Sequence, residues 1–171
     1  MLKPAILLIS LLASQPAFAQ FYERGNTVDD LTQGVTWLRC SVGQRWQTDT
    51  AQCIGDAKRL NFEEIEQVIV QANEQLGGEW RLPTKAELQQ LLCEECISKA
   101  AIDNAQDEEG KLVPAMIDQS VFPNTAAEPY WSSTKNWIAP RNRWSVNFMT
   151  GDSYGRFFPE QRLAVRLLRD R

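Results

Sequence analysis

Along the C-terminal third of the chain, Trp144, Val146 and Phe148 alternate with Ser145, Asn147 and Met149, which is the period of a strand. Thr150-Gly151-Asp152 then offers a turn and Tyr154 to Phe158 a return strand, so a hairpin is predicted. Leu163, Val165 and Leu167 alternate with Ala164, Arg166 and Leu168, which predicts a last strand in the same antiparallel sheet. Earlier in the chain the period lengthens. Phe62, Ile65, Ile69, Ala72 and Leu76 share one helical face, Asn61 and Glu64 are spaced as a capping pair, and Gly77-Gly78 stops the run. A helix over 62–76 follows. A second helix is predicted from Lys85 to Leu92: Pro83 keeps Leu82 extended, Thr84 and Glu87 have capping-box spacing, and Leu88, Leu91 and Leu92 face the core. Val35 to Leu38 reads as a short buried strand, Phe21 to Asp30 as a polar, turn-rich stretch, and Ile102 to Pro114 as an acidic surface loop.

The first residues add a compartment. Lys3, the apolar run from Ala5 to Ala13 and Ala17-Phe18-Ala19 form a secretory signal over residues 1–19, cleaved after Ala19, so that the mature chain begins at Gln20. The apolar run is roughly half of the ~20 residues that span a bilayer, so no retained membrane span is expected. Residues 20–171 suit a single domain. Charge is divided unevenly. Residues 61–128 carry 14 Asp/Glu against 4 Lys/Arg, whereas residues 129–171 carry 3 against 8. The basic end is compatible with an anionic partner, although a solvated surface explains the same counts.

Four cysteines in an exported chain point to disulfides. Cys40 and Cys53 enclose the polar segment Ser41 to Gln52, and Cys93 and Cys96 form the second expected pair. Other pairings, and a metal or redox role for Cys93-Glu94-Glu95-Cys96, are the alternatives. The redox reading sits badly with a motif that follows a helix and holds two glutamates. A zinc site would lack a second Cys-x-x-Cys, and the chain contains no histidine.

Several ordered motifs carry a resemblance: Trp37-Leu38-Arg39-Cys40-Ser41-Val42-Gly43-Gln44-Arg45-Trp46, then Cys53-Ile54-Gly55, the frame from Trp80 to Leu88, Phe122-Pro123-Asn124-Thr125, Tyr130-Trp131-Ser132-Ser133-Thr134, and the closing Ala164 to Arg169. Together they resemble the Lcl C-terminal domain family, named for a bacterial collagen-like adhesin. The resemblance implies an α+β, C-type-lectin-like fold, related in architecture to formylglycine-generating enzymes, with two helices, a small antiparallel sheet and long binding loops. The chain departs from the pattern in the acidic segment Asp103 to Glu109 and at Leu168. Two chemistries of the wider fold are not carried over. Glu128-Pro129 is followed by Tyr130 where sugar-binding lectins place a calcium ligand, and no cysteine pair follows Cys96 as in the formylglycine enzymes.

Without histidine, Ser-His-Asp and Cys-His catalysis are excluded. The adjacent carboxylates Glu94/Glu95 and Asp107/Glu108/Glu109 lie on polar segments with no apolar pocket to raise one pKa, so neither a catalytic nor a metal-binding role is expected, and no cofactor. Ser132 and Ser133 are expected to pack beneath the aromatic pair. A binding module is the better reading. Trp131, Trp137 and Trp144 flank Arg141-Asn142-Arg143, and aromatic faces beside arginines suit sugars and sulfated or carboxylated polymers. Because Trp131 and Trp144 also suit a core, Trp137, Arg141 and Arg143 carry most of this reading. The expected partner is a glycan or an envelope or cell-surface protein, with the domain periplasmic or secreted. The alternative is a periplasmic structural or assembly component that docks on another protein. The acidic, exported chain does not suit nucleic acid.

Overall fold

A computed structural model describes residues 20–93, 95–96 and 114–171. Residues 1–19, where a signal is expected, Glu94, and residues 102–113 of the expected acidic loop lie outside the described residues. The fold is α+β and mostly strand. A four-stranded antiparallel sheet is built from β1 (Phe21–Arg24), β2 (Thr27–Asp30), β3 (Val35–Leu38) and β11 (Leu168–Asp170), in that order. A two-stranded sheet pairs β4 (Arg45–Gln47) with β5 (Gln52–Ile54). A five-stranded sheet runs in the order β6 (Arg59–Leu60), β10 (Leu163–Ala164), β7 (Pro129–Lys135), β8 (Arg143–Asn147), β9 (Ser153–Phe157). Its strands are antiparallel except where β10 meets β7.

Helix α1 (Phe62–Leu76) has the predicted bounds, because both ends are chemically marked. The Asn61 side chain accepts from the Glu64 amide while Glu64 accepts from the Asn61 amide, each at 3.0 Å. Leu76, predicted on the core face, is instead exposed at the last turn. Helix α2 (Lys85–Gln89) is shorter than predicted. After Gln90 the chain turns so that Leu92 bridges Ile117 and the Cys93 amide donates to the Met116 carbonyl, contacts a continuing helix would forbid. Leu88 and Leu91 are nonetheless buried, with Leu92 packed against them.

Two further expectations need correction. Phe21 to Asp30 is a hairpin, not an irregular stretch: its turn is made at Gly25, with φ 63°, and Val28 is fully buried on the inner strand. The predicted last strand is two short ones in different sheets. Leu163 to Leu168 are all buried, because this segment crosses from the five-stranded to the four-stranded sheet and is covered on both sides. Among the described residues three sheets stand in place of the one small sheet expected.

The crossing buries Arg166 completely. Its guanidinium donates to the Leu38 carbonyl (2.9 Å), the Arg39 carbonyl, the Thr125 hydroxyl (2.7 Å) and the Ser41 hydroxyl (3.3 Å), and it lies 4.9 Å from the Phe122 ring centroid. None of these partners is a carboxylate. Burial pushes its pKa down to about 10, against the support of Tyr130, so the group is still a cation at neutral pH. Arg39, also buried, donates to the carbonyls of Val121 (2.8 Å) and Ser120 (3.0 Å). The segment 118–125 is thereby tied to the end of β3. Nearby, the Cys40–Cys53 bridge spans 5.4 Å between Cα atoms and closes the loop that carries β4 and β5. Such a closure contributes about 3 kcal/mol in the chain-entropy model. Cys93 and Cys96 are also bridged.

The frame from Trp80 to Leu88 joins α2 to both larger sheets. The Arg81 amide and carbonyl exchange hydrogen bonds with Leu168, and the Ser133 amide donates to the Pro83 carbonyl at 2.7 Å. Thr84 caps α2 by accepting from the Glu87 amide at 3.2 Å, and Glu87 accepts from the Thr84 amide at 2.6 Å. The Arg81 guanidinium grips both Glu87 carboxylate oxygens, at 2.7 and 3.0 Å. Burial alone would raise the Glu87 pKa, but Arg81 and the Thr84 amide outweigh it and hold the carboxyl below its ordinary 4.5. A group depressed on folding contributes stability above its unfolded pKa and loses it as pH falls through the folded value. Glu87→Gln should therefore destabilise the protein near neutral pH, and the gap from the parent should narrow below about pH 4. Urea unfolding at the two pH values measures it; a gap that stays constant would show that the carboxylate charge is not what Arg81 and the cap select.

Candidate functional site

The loop 136–142 between β7 and β8 is ordered by one side chain. Asn136 Oδ1 accepts from the Ile138 amide (2.9 Å) and the Ala139 amide (3.3 Å), while its Nδ2 donates to the Gly155 carbonyl on β9 (2.7 Å). Two backbone bonds close the loop, from the Asn136 amide to the Asn142 carbonyl and from the Asn142 amide to the Ala139 carbonyl. This folding turns Trp137 and Ile138 outward, 85% and 74% exposed. Arg141 stands on the same loop, its side chain 82% exposed, with Glu160 at 3.9 Å. Arg143 begins the next strand. It donates to the Pro140 and Asn142 carbonyls and lies 5.2 Å from the Phe62 ring centroid.

Trp131 and Trp144 do not join them at the surface. Trp131 is fully buried on β7, a central strand covered on both faces, and its indole N–H donates to the Leu60 carbonyl at 2.8 Å. The rings of Phe62 and Phe157 meet it edge-on at 5.0 and 5.9 Å. Trp144 is half-buried, with the Lys85 ammonium 4.2 Å from its ring centroid. The backbone of Gly155 lies so close to this indole that a Cβ there would come within 2.7 Å of it. Both tryptophans therefore build the platform beneath the loop. Ser132 is buried as expected and donates to the Trp144 carbonyl (2.7 Å), whereas Ser133 is exposed instead of packing beneath the aromatic pair and donates to the Pro83 carbonyl (3.2 Å).

Beside the loop, a groove of about 660 Å³ opens between α1 and β7. Phe62, Ile65, Ile69 and Leu82 supply its apolar lining, and Arg81, Lys135 and Arg143 with Glu66 its charged lining. Arg143 thus belongs both to the groove and to the base of the loop. Sequence reasoning missed Lys135, Ile138 and the groove. The signal for Ile138 was available: two successive large apolar residues between an asparagine and a proline do not suit a polar turn.

The carboxylates with displaced pKa values serve the fold. Glu64 is lowered by its bond from the Asn61 amide and by Arg162, and Glu87 by Arg81 and Thr84, so both are held ionised at helix N-termini. Among the described residues no group of three or more His, Cys, Asp or Glu is placed to hold a metal ion, and no helix is long and apolar enough to cross a membrane. A family model described as Lcl C-terminal domain matches residues 26–169, so the resemblance carried by the ordered motifs stands. No curated protein matches the chain.

The division between platform and tip predicts opposite responses to one substitution type. Trp131→Ala should cost about 3–5 kcal/mol of unfolding free energy, the usual cost of deleting a buried aromatic, whereas Trp137→Ala should change it by less than about 0.5 kcal/mol. Chemical denaturation of the two variants checks this, and comparable losses would place Trp137 in the packed structure.

Proposed function

The chain belongs to the Lcl C-terminal domain family, and we propose that it acts as an exported, non-catalytic binding domain that recognises a glycan or an envelope or cell-surface partner. The observation that carries this reading is Trp137, held 85% exposed on a pinned loop that also carries Arg141 and leads into Arg143, next to a groove lined by apolar residues with Arg81, Lys135 and Arg143 against Glu66. An aromatic face with guanidinium groups at its side supplies stacking together with charge-assisted hydrogen bonds, the combination that suits an acidic sugar or a carboxylate-bearing surface. The architecture proposed is the C-type-lectin-like branch that the motifs imply, with long loops forming the contact surface.

The absence of histidine supports a non-catalytic role, and so does the direction of the carboxylate shifts. A general acid working near neutral pH needs its pKa raised, and Glu64 and Glu87 are both lowered. Export rests on residues 1–19, and the Cys40–Cys53 and Cys93–Cys96 bridges are compatible with an oxidising compartment outside the cytoplasm.

Screening the mature chain against a glycan array, with acidic and neutral sugars side by side, tests the reading. Binding should favour acidic sugars and weaken as salt is raised, because the arginines involved are exposed and screened. Arg141→Ala with Arg143→Ala should reduce that binding by about tenfold or more while lowering unfolding free energy by no more than about 1 kcal/mol, the worth of the exposed pair and the Phe62 contact. Undiminished binding by the double variant would move the site elsewhere.

A further inference from the structure

Trp137 and Ile138 are the two most exposed of the large apolar residues described, and a third, Phe158, is 49% exposed on the neighbouring turn. The contact between Arg141 and Glu160 brings the two turns side by side. Each turn is organised separately. Asn136 pins the first, and in the second Gln161 Oε1 accepts from the Phe158 amide at 2.8 Å while the Gln161 amide donates to the Phe158 carbonyl at 3.0 Å. These apolar side chains add little to the core, yet the backbone is fixed so that they project. Lys135, Arg141, Arg143, Arg156 and Arg162 stand on the same loops and strand ends, against Glu160 and the Glu64 that pairs with Arg162.

We propose that this tip docks the protein onto an anionic phospholipid bilayer, with Trp137, Ile138 and Phe158 entering the headgroup region and the surrounding cations meeting lipid phosphates. Tryptophan beside aliphatic and aromatic neighbours, ringed by arginine and lysine, is the chemistry of a membrane interface: the amphipathic ring sits at headgroup level and basic residues follow the negative surface potential. A sugar stacks on one flat ring and gains its specificity from polar neighbours, so Ile138 and Phe158 contribute nothing to it. Such docking requires no membrane-crossing helix. The inference rests on the loop that carries the proposed binding reading and adds Ile138 and Phe158 to it, and the vesicle and array assays run side by side distinguish the two.

The test is co-sedimentation of the mature chain with vesicles of phosphatidylcholine, with and without phosphatidylglycerol, run beside the glycan array. Binding should be about tenfold tighter or more when phosphatidylglycerol is present and should weaken with salt. Trp137→Ala with Ile138→Ala should weaken vesicle binding by about tenfold or more at an unchanged melting temperature, and Phe158→Ser should weaken it independently. No binding to either vesicle, or equal binding by parent and tip variant, overturns the proposal. A tip variant that keeps vesicle binding but loses a glycan or a protein partner overturns it too, in favour of that partner. Vesicle binding that fails while array binding persists removes the membrane proposal alone.

Discussion

A buried guanidinium with no carboxylate partner among the described residues is the constraint on which the rest of this structure depends. Taking a cation out of water costs several kcal/mol, and that cost is offset only where hydrogen bonds meet the group on several sides. Arg166 meets the condition at its two terminal nitrogens, with the Leu38 and Arg39 carbonyls at the end of β3 and the hydroxyls of Ser41 and Thr125, while its Nε has no partner among the described residues. These acceptors come from two separate stretches of chain, residues 38–41 and the segment that carries Thr125. Their convergence holds the crossing between the two larger sheets, the start of the disulfide loop and the segment 118–125 in one arrangement. Tyr130 extends the cluster through the Ser41 hydroxyl at 2.8 Å, and burial raises its pKa against the pull of Arg166, so it stays a neutral phenol. One face of the guanidinium also covers the Phe122 ring, linking the polar cluster to the apolar core.

That arrangement explains where the remaining cations go. Arg39 and Arg166 are consumed inside, Arg81 is committed to Glu87 and Asp170, and Arg59 to Glu128. Arg141 has only a long contact to Glu160, and Arg143 has carbonyls and a ring. The basic balance of the C-terminal third therefore overstates the available surface charge, since Arg166 contributes nothing to it. What reaches solvent is concentrated around the loop 136–142, where the exposed tryptophan also stands. Charge and aromatic exposure coincide there because β7 and β8 place their polar connection at the edge of a platform made by Trp131, Trp144 and Phe62.

Much of this was legible in the sequence wherever a local chemical mark accompanied the periodicity. Helix α1 could be bounded because Asn61, Glu64 and Gly77 act within a few residues, and the hairpin of β8 and β9 because alternation flanks Gly151. That Trp137 and Arg141 stay exposed was legible because a loop rich in Asn and Pro must stay near the surface, whereas Arg143 belongs to the strand that follows. What periodicity could not supply was the number of covered faces. Arg166 occupies the position that alternation assigns to solvent, and it is buried because a second layer packs over the crossing. Trp131 illustrates the same limit from the other side: an aromatic residue beside arginines in sequence is a binding platform or a core residue according to whether its strand is central or peripheral. The hairpin of β1 and β2 was hidden because its outer strand, with Tyr22, Glu23 and Arg24 exposed, has the composition of a loop.

The claim that Arg166 holds the interior together is tested most directly by urea unfolding of Arg166→Met, which keeps an unbranched side chain of similar length and removes every donor. The Leu38 and Arg39 carbonyls would then lose their guanidinium donor in a dry interior, while the Ser41 and Thr125 hydroxyls keep their bonds to Tyr130 and the Phe122 carbonyl, and leaving a buried acceptor unmet costs about 1–3 kcal/mol. A loss of about 3 kcal/mol or more in unfolding free energy is the predicted result. An Arg166→Met protein as stable as the parent, or more stable, would contradict the account, because it would mean that apolar packing alone can hold the crossing between the sheets.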